Sequence, residues 1–393
     1  MLNPKTQERE LAYIVEVQEA KDLPNYDSVH YIRVLGWWCV APKTLVPGDK
    51  GIYFEIDSLL PKEDSRFSFM EKKKYRVKTI KICGVLSQGL VLPLTDFPEF
   101  RKYKLGEFVT EKLNVKLYEP EMKNPQVRTR VTPLQRALDQ HPRLAKFPPV
   151  KFLLRFNWFK YILGKLIIPK KYRIEWPSWL PKTGSERIQN IPQLLENKDT
   201  KWIISEKVDG CSTSFWLNEK DVYFVGSHNV VVYSSMDSRS SSIADGNKYI
   251  ANNVWIDMGN KYDMKDILKQ MKDRFKLKTV AIQGESYGAG IQKRTYSLKN
   301  KEQDLAVFHI WFDGKRLPIK QMEDLCSEYY LKPVTVYDYN YTLPDTVEDL
   351  IKDVDSRKSG IDGGDIEGFV IYSQDGQHNY KCVSPSYLVK YHS

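Results

Sequence analysis

Cysteine is scarce in this chain and forms no pattern. The 393 residues include five cysteines, an odd number, and none of them lie at a Cys-x-x-Cys spacing. Disulfide frameworks and structural zinc sites need cysteines that are paired or closely spaced, so the sequence predicts neither. Scattered cysteines of this kind are typical of proteins that stay in a reducing compartment.

Long apolar runs are also missing. The N-terminal segment lacks the apolar core of a secretory signal. The longest apolar stretch, residues 161–169, is interrupted by Lys165 and is too short to span a bilayer. The chain is therefore expected to be intracellular, in the cytoplasm or the nucleus, with no membrane partner.

Acidic residues are outnumbered by basic ones, and the excess is uneven. The net charge is +10, which favours an anionic partner without separating RNA, DNA and an acidic membrane. Residues 143–173 carry nine basic residues, no Asp or Glu, and seven interleaved aromatics. Such a stretch suits a nucleic-acid surface. It also suits an amphipathic helix whose aromatic side packs on a neighbouring domain, and both interpretations remain open.

The first ~115 residues predict an all-β domain. Short β-branched and aromatic runs are separated by turn signals at Pro42, residues 47–49 and Pro61. Residues 75–82 alternate basic and apolar side chains, which predicts a strand with one basic face. Around five strands in this length suggest a small closed barrel, and the OB type is a common nucleic-acid-binding example.

The rest of the chain has a different pattern. Residues 116–182 predict a basic, partly helical linker with several prolines. From residue 183 onward, helical spacing, as in residues 265–275 and 319–328, mixes with strand-like runs. This mixture predicts an α+β domain with a largely antiparallel sheet.

Residues 207–210, Lys-Val-Asp-Gly, follow one apolar strand and precede another. A lysine flanked by acids at a strand end can attack a phosphorus centre once it has lost its proton. With a solution pKa of ~10.4, that loss needs burial, a nearby cation or a metal ion. The tetrapeptide alone equally fits an ordinary turn.

Further acids and a lysine follow downstream. Glu285 ends a strand-like run, Glu367 precedes an apolar strand, and Lys381 follows Glu367 by 14 positions (381 − 367). Carboxylates and lysines that converge on one pocket would hold Mg²⁺ and a triphosphate together. Taken singly, each acid also fits a solvated strand-end residue.

The order of these segments resembles a known family. Lys-x-Asp-Gly, Ser-x-Asn, Gly-Glu, Phe-x-Ile, Glu-Gly-Phe-Val and a final Lys resemble the motif series of covalent nucleotidyltransferases, namely polynucleotide ligases and RNA-capping enzymes. Residues 36–43, 53–61 and 82–94 are similar to the OB domain of the Deinococcus and Naegleria type of ATP-dependent RNA ligase. In that branch the OB domain precedes the catalytic domain.

The resemblance implies a fold and an activity. DNA ligases and capping enzymes carry an OB domain after the last motif, whereas only 12 residues (393 − 381) follow Lys381 here. The expected fold class is α+β, with an OB-type β-barrel in residues 1–115 and an adenylyltransferase domain of ATP-grasp-like antiparallel sheets and helices in residues 183–393. The expected enzyme is an RNA ligase that seals 3′-OH and 5′-phosphate ends through lysyl-AMP and RNA-adenylate.

The resemblance also implies roles for individual residues. Lys207 would carry AMP, with Asp209 and Lys381 as the other catalytic residues. The expected nucleotide-binding residues are Glu206, Arg187, Gln189, Glu285, Phe308 and Lys381. The expected metal residues are Glu367, Glu285 and Asp209, and those for RNA or phosphate are His228 and Arg187. Phe308, expected to stack on the purine, equally fits a buried core residue.

ATP and Mg²⁺ or Mn²⁺ are the implied cofactors, RNA with nicked or broken ends is the implied partner, and a monomer is expected. The chain departs from the family pattern at His228, where an arginine is usual, at residues 182–185, which lack the usual acids, and at Val383, where a second lysine is common. Two alternatives therefore stay open. One is a DNA ligase or capping-type enzyme, and the other is an RNA-binding relative that has lost its activity.

Overall fold

The structure is a computed structural model of the chain. It describes residues 1, 3, 9–118, 147–154, 159, 162–163, 176–228, 231–235, 253–298 and 302–392, without the side chains of residues 151 and 152. Most of the predicted linker, most of the basic stretch of residues 143–173, and the asparagine of the Ser-x-Asn motif lie outside the described residues.

The N-terminal domain is built from short strands. They are β1 (Ala12–Glu16), β2 (Glu19–Asp22), β3 (Val29–Val34), β4 (Trp37–Pro42), β5 (Lys50–Phe54), β6 (Ser58–Leu59), β7 (Thr79–Ile82), β8 (Val85–Gln88), β9 (Leu90–Pro93) and β10 (Lys116–Leu117). They pair antiparallel in the orders β1-β5-β9, β2-β3-β4, β7-β8 and β10-β6. The prediction of an all-β, OB-type domain is confirmed.

Aromatic side chains fill the interior of this domain. Phe54 packs edge-on against Phe67, with ring centroids 5.4 Å apart, and Trp37 stacks on Tyr53 at 5.8 Å. These four side chains are among the largest that are fully buried. Because aromatic residues bury more area than other residue types, a few of them stabilise a domain of this size.

The predicted strand over residues 75–82 is wrong in its first half. A 3-10 helix, Ser65–Lys73, ends there, and Lys74 and Tyr75 adopt left-handed conformations with φ of 53° and 58°. The Lys74 N–H donates to the Glu71 carbonyl at 2.8 Å, which caps the helix. Only Thr79–Ile82 forms a strand, because the capping turn takes up Lys74 and Tyr75, and Arg76 makes an isolated bridge to Leu59 instead.

The C-terminal domain has two larger sheets. Its strands are β11 (Glu186–Arg187), β12 (Trp202–Lys207), β13 (Cys211–Leu217), β14 (Tyr223–Gly226), β15 (Val231–Ser234), β16 (Val280–Gly288), β17 (Gln303–Phe312), β18 (Lys315–Arg316), β19 (Val336–Tyr341), β20 (Gly368–Ser373) and β21 (Asn379–Val383). The first sheet has the order β11-β21-β20-β12-β19 and the second β15-β14-β13-β16-β17-β18. Among these strands only the β11–β21 pair is parallel, so the predicted α+β class is confirmed.

Helices cover the sheets. They are α1 (Pro148–Leu153), α2 (Val254–Lys261), α3 (Met264–Phe275), α4 (Ile319–Glu328), α5 (Val347–Ser356) and α6 (Pro385–His392), with short 3-10 helices at Leu94–Asp96, Pro98–Phe100, Ile188–Asn190 and Pro192–Leu195. Helix α3 packs its buried Leu268 and Met271 against β13 and β16. Within the described ranges, every helix is too short or too polar to cross a bilayer.

The two domains meet at a contact that we call the domain seam, formed by Glu55, Gly36 and Trp37 on one side and Gln189 and Asn190 on the other. The Gly36 N–H donates to the Gln189 carbonyl at 2.8 Å, and Trp37 Nε1 donates to Asn190 Oδ1 at 2.7 Å. A Cβ atom on Gly36 would lie only 2.8 Å from Gln189 Cα. Glycine is therefore required where the two backbones touch.

A buried carboxylate completes the domain seam. Asn190 Nδ2 donates to Glu55 Oε1 at 2.9 Å, and Arg9 Nε donates to Glu55 Oε2 at 2.8 Å. Burial raises the pKa of Glu55, but Arg9 and the N-terminal ammonium lower it by more, to about 2. The seam thus holds an ionised carboxylate between the domains.

Candidate active site

The register of the first sheet brings three cations to one face. Lys207 at the end of β12 pairs with Gly368 of β20, and Val370 of the same strand pairs with Lys381 of β21. Arg187 of β11 pairs with Lys381. Since alternate residues of a strand share a face and paired residues lie side by side, Lys207, Lys381 and Arg187 project from the same side of the sheet.

The chain crosses to the second sheet directly after Lys207. Residues 208–210 turn into β13, where Ser212 pairs with Glu285 of β16. A Cβ atom on Gly210 would lie 2.9 Å from Glu285 Cγ and 2.2 Å from the Ser286 carbonyl. The glycine of Lys-Val-Asp-Gly therefore allows the turn to pass close against Glu285.

Lys207 is paired with a carboxylate in this site. Its Nζ donates to Glu367 Oε2 at 2.6 Å, and Glu367 stands immediately before β20. Burial lowers the pKa of Lys207, but Glu367 and Glu285 raise it by more, so that the pKa lies above its ordinary value. Lys207 therefore carries its proton in the ligand-free protein.

Burial raises the pKa of two neighbouring acids. The pKa of Glu285 is about 8, because burial, Glu367 and Asp209 raise it by more than Lys207 lowers it. Burial also raises the pKa of Glu367. Carboxylates that share a site repel one another, so added positive charge favours the ionisation of all of them.

These acids fit a divalent cation by their chemistry. Carboxylate oxygens are the ligands that Mg²⁺ prefers, and Asp209, Glu285 and Glu367 all act electrostatically on Lys207. Within the part of the chain that the structure describes, no group of three or more His, Cys, Asp or Glu side chains is preassembled as a metal site. The Lys207 ammonium supplies the positive charge instead.

The other end of the site is cationic. Burial, Arg187 and Arg9 together lower the pKa of Lys381 to about 7. Arg187 is 8% exposed, and its Nε and Nη1 atoms have no hydrogen-bond partner among the described residues. Buried N–H donors without partners are costly, so this pair of cations fits an anion such as a phosphate.

Gln189 lies beside this cationic end. Its side chain is fully buried, and both polar atoms of the amide lack partners within the described residues. The 3-10 helix Ile188–Asn190 holds it two residues after Arg187. Its amide can both donate and accept hydrogen bonds.

Phe308 and Glu206 occupy different surroundings. Phe308 is the extra residue of a β-bulge, because Gln283 pairs with His309 and Gly284 pairs with Val307. It is half-buried and packs on the cluster that contains Val208. The alternation of β12 turns Glu206 to the face opposite Lys207, where Ser359 Oγ donates to it at 2.5 Å. The Glu206 carboxylate is thus already hydrogen-bonded within the protein.

His228 lies at the edge of the site. Its Nδ1 is 2.9 Å from Thr183 Oγ1, which is 2.5 Å from Ser212 Oγ. Burial lowers the pKa of His228, and Lys381 and Lys182 lower it further. The imidazole is therefore neutral at pH 7, unlike the arginine that is usual in the family pattern.

The structure adds residues at Asp209 that the sequence did not suggest. Tyr387 Oη and His392 Nε2 both contact Asp209 Oδ2 at 3.0 Å. The Asp209 N–H donates to Tyr296 Oη at 2.5 Å. Tyr387 and His392 lie on α6, beyond the last motif, so no local pattern connects them with Lys207.

A lysine in Lys-x-Asp-Gly, set between two largely antiparallel sheets with carboxylates on one side and cations on the other, is the architecture of a covalent nucleotidyltransferase domain. Comparison with known proteins places the chain more closely. Residues 200–392 match the RNA ligase family, and residues 11–94 match an OB-fold domain family. No curated protein matches the chain.

Solved structures of Naegleria gruberi RNA ligase resemble the whole chain. A ligand-free mutant of that enzyme is 25% identical over 97% of both chains, with a TM-score of 0.74. Its structure with PPi is also 25% identical, covers 97% of this chain and 98% of that one, and has a TM-score of 0.74. A mutant with ATP and Mn is 25% identical over 97% of both chains, with a TM-score of 0.72. The chain belongs to the RNA ligase family, with an OB-fold domain ahead of its ligase domain.

Proposed function

We propose that this RNA ligase uses ATP to join RNA 3′-OH and 5′-phosphate ends, with Lys207 as the nucleophile. The observation that carries the proposal is the setting of Lys207 between the carboxylates of Glu367 and Glu285 and the cations of Lys381 and Arg187. Naegleria gruberi RNA ligase, whose fold this chain resembles, has been solved with ATP and Mn.

The proposed reaction has three balanced steps. Lys207 Nζ forms a bond to the α-phosphorus of ATP while the bond to pyrophosphate breaks. AMP then moves from Lys207 to an RNA 5′-phosphate, which frees the lysine. Finally the RNA 3′-hydroxyl oxygen bonds to that 5′-phosphorus, its proton passes to solvent, and AMP leaves.

The first step requires Lys207 to lose its proton. A divalent cation bound among the carboxylates would supply the positive charge that the ammonium now provides, and would neutralise phosphate charge. Glu367 Oε2, at 2.6 Å from Nζ, orients the amine and can accept its hydrogen bond throughout. Asp209, Glu285 and Glu367 are the residues that would hold the cation.

The cationic end would hold phosphate. Lys381 and Arg187 lie on the same sheet face as Lys207, so they can contact an α-phosphate that Lys207 attacks. Gln189 offers hydrogen bonds to the nucleotide, and Phe308, next to Val208, offers a ring for the purine. His228 would contact the RNA 5′-phosphate.

The setting in the cell follows from the chemistry of the chain. All five cysteines are free thiols, which supports an intracellular, reducing environment for the enzyme. We propose that it acts there as a monomer on nicked or broken RNA.

Mass spectrometry after incubation with ATP and Mn²⁺ or Mg²⁺ tests the nucleophile. The wild-type protein should gain the mass of one AMP, and Lys207→Ala should gain none. Lys201→Ala is the matched control, since Lys201 precedes the same strand, is exposed and contacts Thr342. It should be labelled like the wild type.

The same assay with GTP, together with assays of nick sealing and RNA binding, separates the alternatives. Labelling by GTP in place of ATP would indicate a capping-type enzyme, and sealing of DNA nicks with no sealing of RNA nicks would indicate a DNA ligase. A wild-type protein that binds RNA but never forms the AMP adduct would refute the proposed function.

A further inference from the structure

Helix α6 (Pro385–His392) reaches back to the Lys-x-Asp-Gly turn. Tyr387 Oη donates to Asp209 Oδ2, and His392 Nε2 lies against the same oxygen, each at 3.0 Å. Because a carboxylate only accepts, the histidine must donate through Nε2. We call Tyr387 and His392 the Asp209 clamp.

Both hydrogen bonds to Asp209 lie in a largely buried environment, which strengthens them. The Asp209 side chain is 4% exposed and Tyr387 is 3% exposed, whereas His392 at 29% closes the outer side. A buried carboxylate has lost hydrogen bonds to water, and the charge-assisted bonds that replace them are strong. Since both donors reach Oδ2, they fix the plane of the carboxylate and leave Oδ1 for an incoming ligand.

The backbone of Asp209 is held from the same direction. Its N–H donates to Tyr296 Oη at 2.5 Å. The Arg294 guanidinium lies 4.0 Å from the Tyr296 ring and 5.9 Å from the Tyr387 ring, and pairs with Asp362 at 2.5 Å. One arginine thus links the loop that carries Tyr296 to helix α6.

Helix α6 is itself firmly anchored. The Ser384 N–H, just before the helix, donates to the Glu367 carbonyl at 2.9 Å. Lys390 Nζ pairs with Asp365 Oδ2 at 2.8 Å. The helix also packs against β7 of the OB domain. Its position is therefore set by the strand that follows Glu367 and by the other domain, not by Asp209 alone.

We infer that Tyr387 and His392 are positioning residues for the ligase reaction, which orient Asp209 so that Oδ1 faces the metal-bound nucleotide. The inference rests on the proposed function, since it assumes a nucleotide and a divalent cation at this site. Residues that hydrogen-bond to a metal-binding carboxylate and orient it typically contribute a factor of roughly ten to a hundred to metal affinity or activity.

Equilibrium binding tests the clamp without turnover. Calorimetry measures the dissociation constant of Mn–ATP for a Lys207→Ala parent that also carries Tyr387→Phe, His392→Ala or His392→Gln. Tyr387→Phe and His392→Ala should each weaken binding by about tenfold or more. His392→Gln should restore most of the loss, because the glutamine amide can still donate to Oδ2.

Tyr391→Phe is the matched control. It removes a hydroxyl from the same helix, and its ring, 4.4 Å from that of Tyr387, stays in place. It should bind Mn–ATP like the parent, and melting temperatures should stay close across the set. With Lys207 restored, the AMP-adduct rate of each variant should fall in the same order as its binding.

Two results would overturn the inference. One is parental binding by both Tyr387→Phe and His392→Ala; the other is a loss for Tyr391→Phe as large as for Tyr387→Phe, which would indicate general damage to α6. If Tyr387→Phe fails to fold, the His392→Ala and His392→Gln pair decides, since His392 lies at the partly exposed end. Absence of an AMP adduct in wild type would refute the proposed function alone, and the binding comparison would still judge the clamp.

Discussion

Adding Mn²⁺ to the nucleotide-free protein should release a proton from Glu285. Burial holds the pKa of this carboxyl at about 8 despite the opposing effect of Lys207. At pH 7 a group with that pKa carries its proton in about ten of every eleven molecules. A metal that binds the ionised form therefore displaces roughly 0.9 proton per molecule. An ordinary exposed glutamate would release almost none.

The sign of the pH dependence follows from the raised pKa. Below about pH 8 most Glu285 side chains are in the neutral, protonated form. The metal therefore competes with the proton for the carboxyl oxygens. Raising the pH from 6 to 8 increases the ionised fraction about fiftyfold, so the apparent Mn²⁺ affinity should rise by a similar factor and level off above pH 8.

Calorimetry in two buffers of different ionisation enthalpy at pH 7 measures the proton count. The wild-type protein should release close to one proton per Mn²⁺ from this group, and Glu285→Gln, which cannot ionise, should release correspondingly less. The reasoning about burial would be refuted if both proteins released the same number, or if wild-type affinity stayed flat between pH 6 and pH 8.

Other outcomes follow from groups described above. Glu55→Gln should lower the free energy of unfolding by about 3 kcal/mol at pH 7, because the pKa of Glu55 is about 2 against a usual 4.5. This contribution to stability is complete above pH 4.5 and is lost as the pH falls through about 2. Urea unfolding measures it. Glu99→Gln, at an exposed position, is the control and should lower the free energy of unfolding by less than about 1 kcal/mol. Metal-free ATP should bind more weakly as pH rises above 7, where Lys381 loses its charge, and calorimetry should show a flatter profile for Lys381→Arg, which stays charged. His228→Arg should tighten the binding of a 5′-phosphorylated RNA on the order of tenfold at pH 7, as measured by fluorescence anisotropy. The affinity for the same RNA with a 5′-hydroxyl should not change, and equal gains for both RNAs would contradict a role at the phosphate.

Local periodicity predicted some elements well. Helix α4 spans Ile319–Glu328, as its spacing predicted, because its buried residues recur with the helical period. Helix α3 begins one residue before its predicted start. Apolar periodicity is a property of the segment itself, so it can be detected without knowledge of the partner surface.

The pairing of Lys207 with Glu367 was also accessible, although by a different route. These residues are 160 positions apart, and no local pattern joins them. The order of several short motifs, matched to a family in which they converge, predicted that they would lie in one pocket. Physical reasoning on each acid alone would have left it as a solvated strand-end residue.

Contacts made by residues outside any motif could not be predicted from the sequence. Tyr387 and His392 lie 178 and 183 positions from Asp209, and a tyrosine and a histidine on a short helix are common on any surface. Only the packing of α6 between the OB domain and the turn after Lys207 makes them donors to this carboxylate. The wrong start of β7 has a similar cause, since alternation of side chains does not detect the left-handed turn at Lys74 and Tyr75.

The Gly36–Gln189 contact at the domain seam restricts how such a protein can be recombined. Two backbones meet there with no room for a side chain, and Trp37 next to Gly36 hydrogen-bonds across the same boundary. A foreign OB domain joined to this ligase domain would have to reproduce a glycine, a main-chain hydrogen bond and an indole at once. The two domains also meet through Glu55 and through the packing of α6 on β7, so they can be exchanged between relatives as a pair far more readily than one at a time.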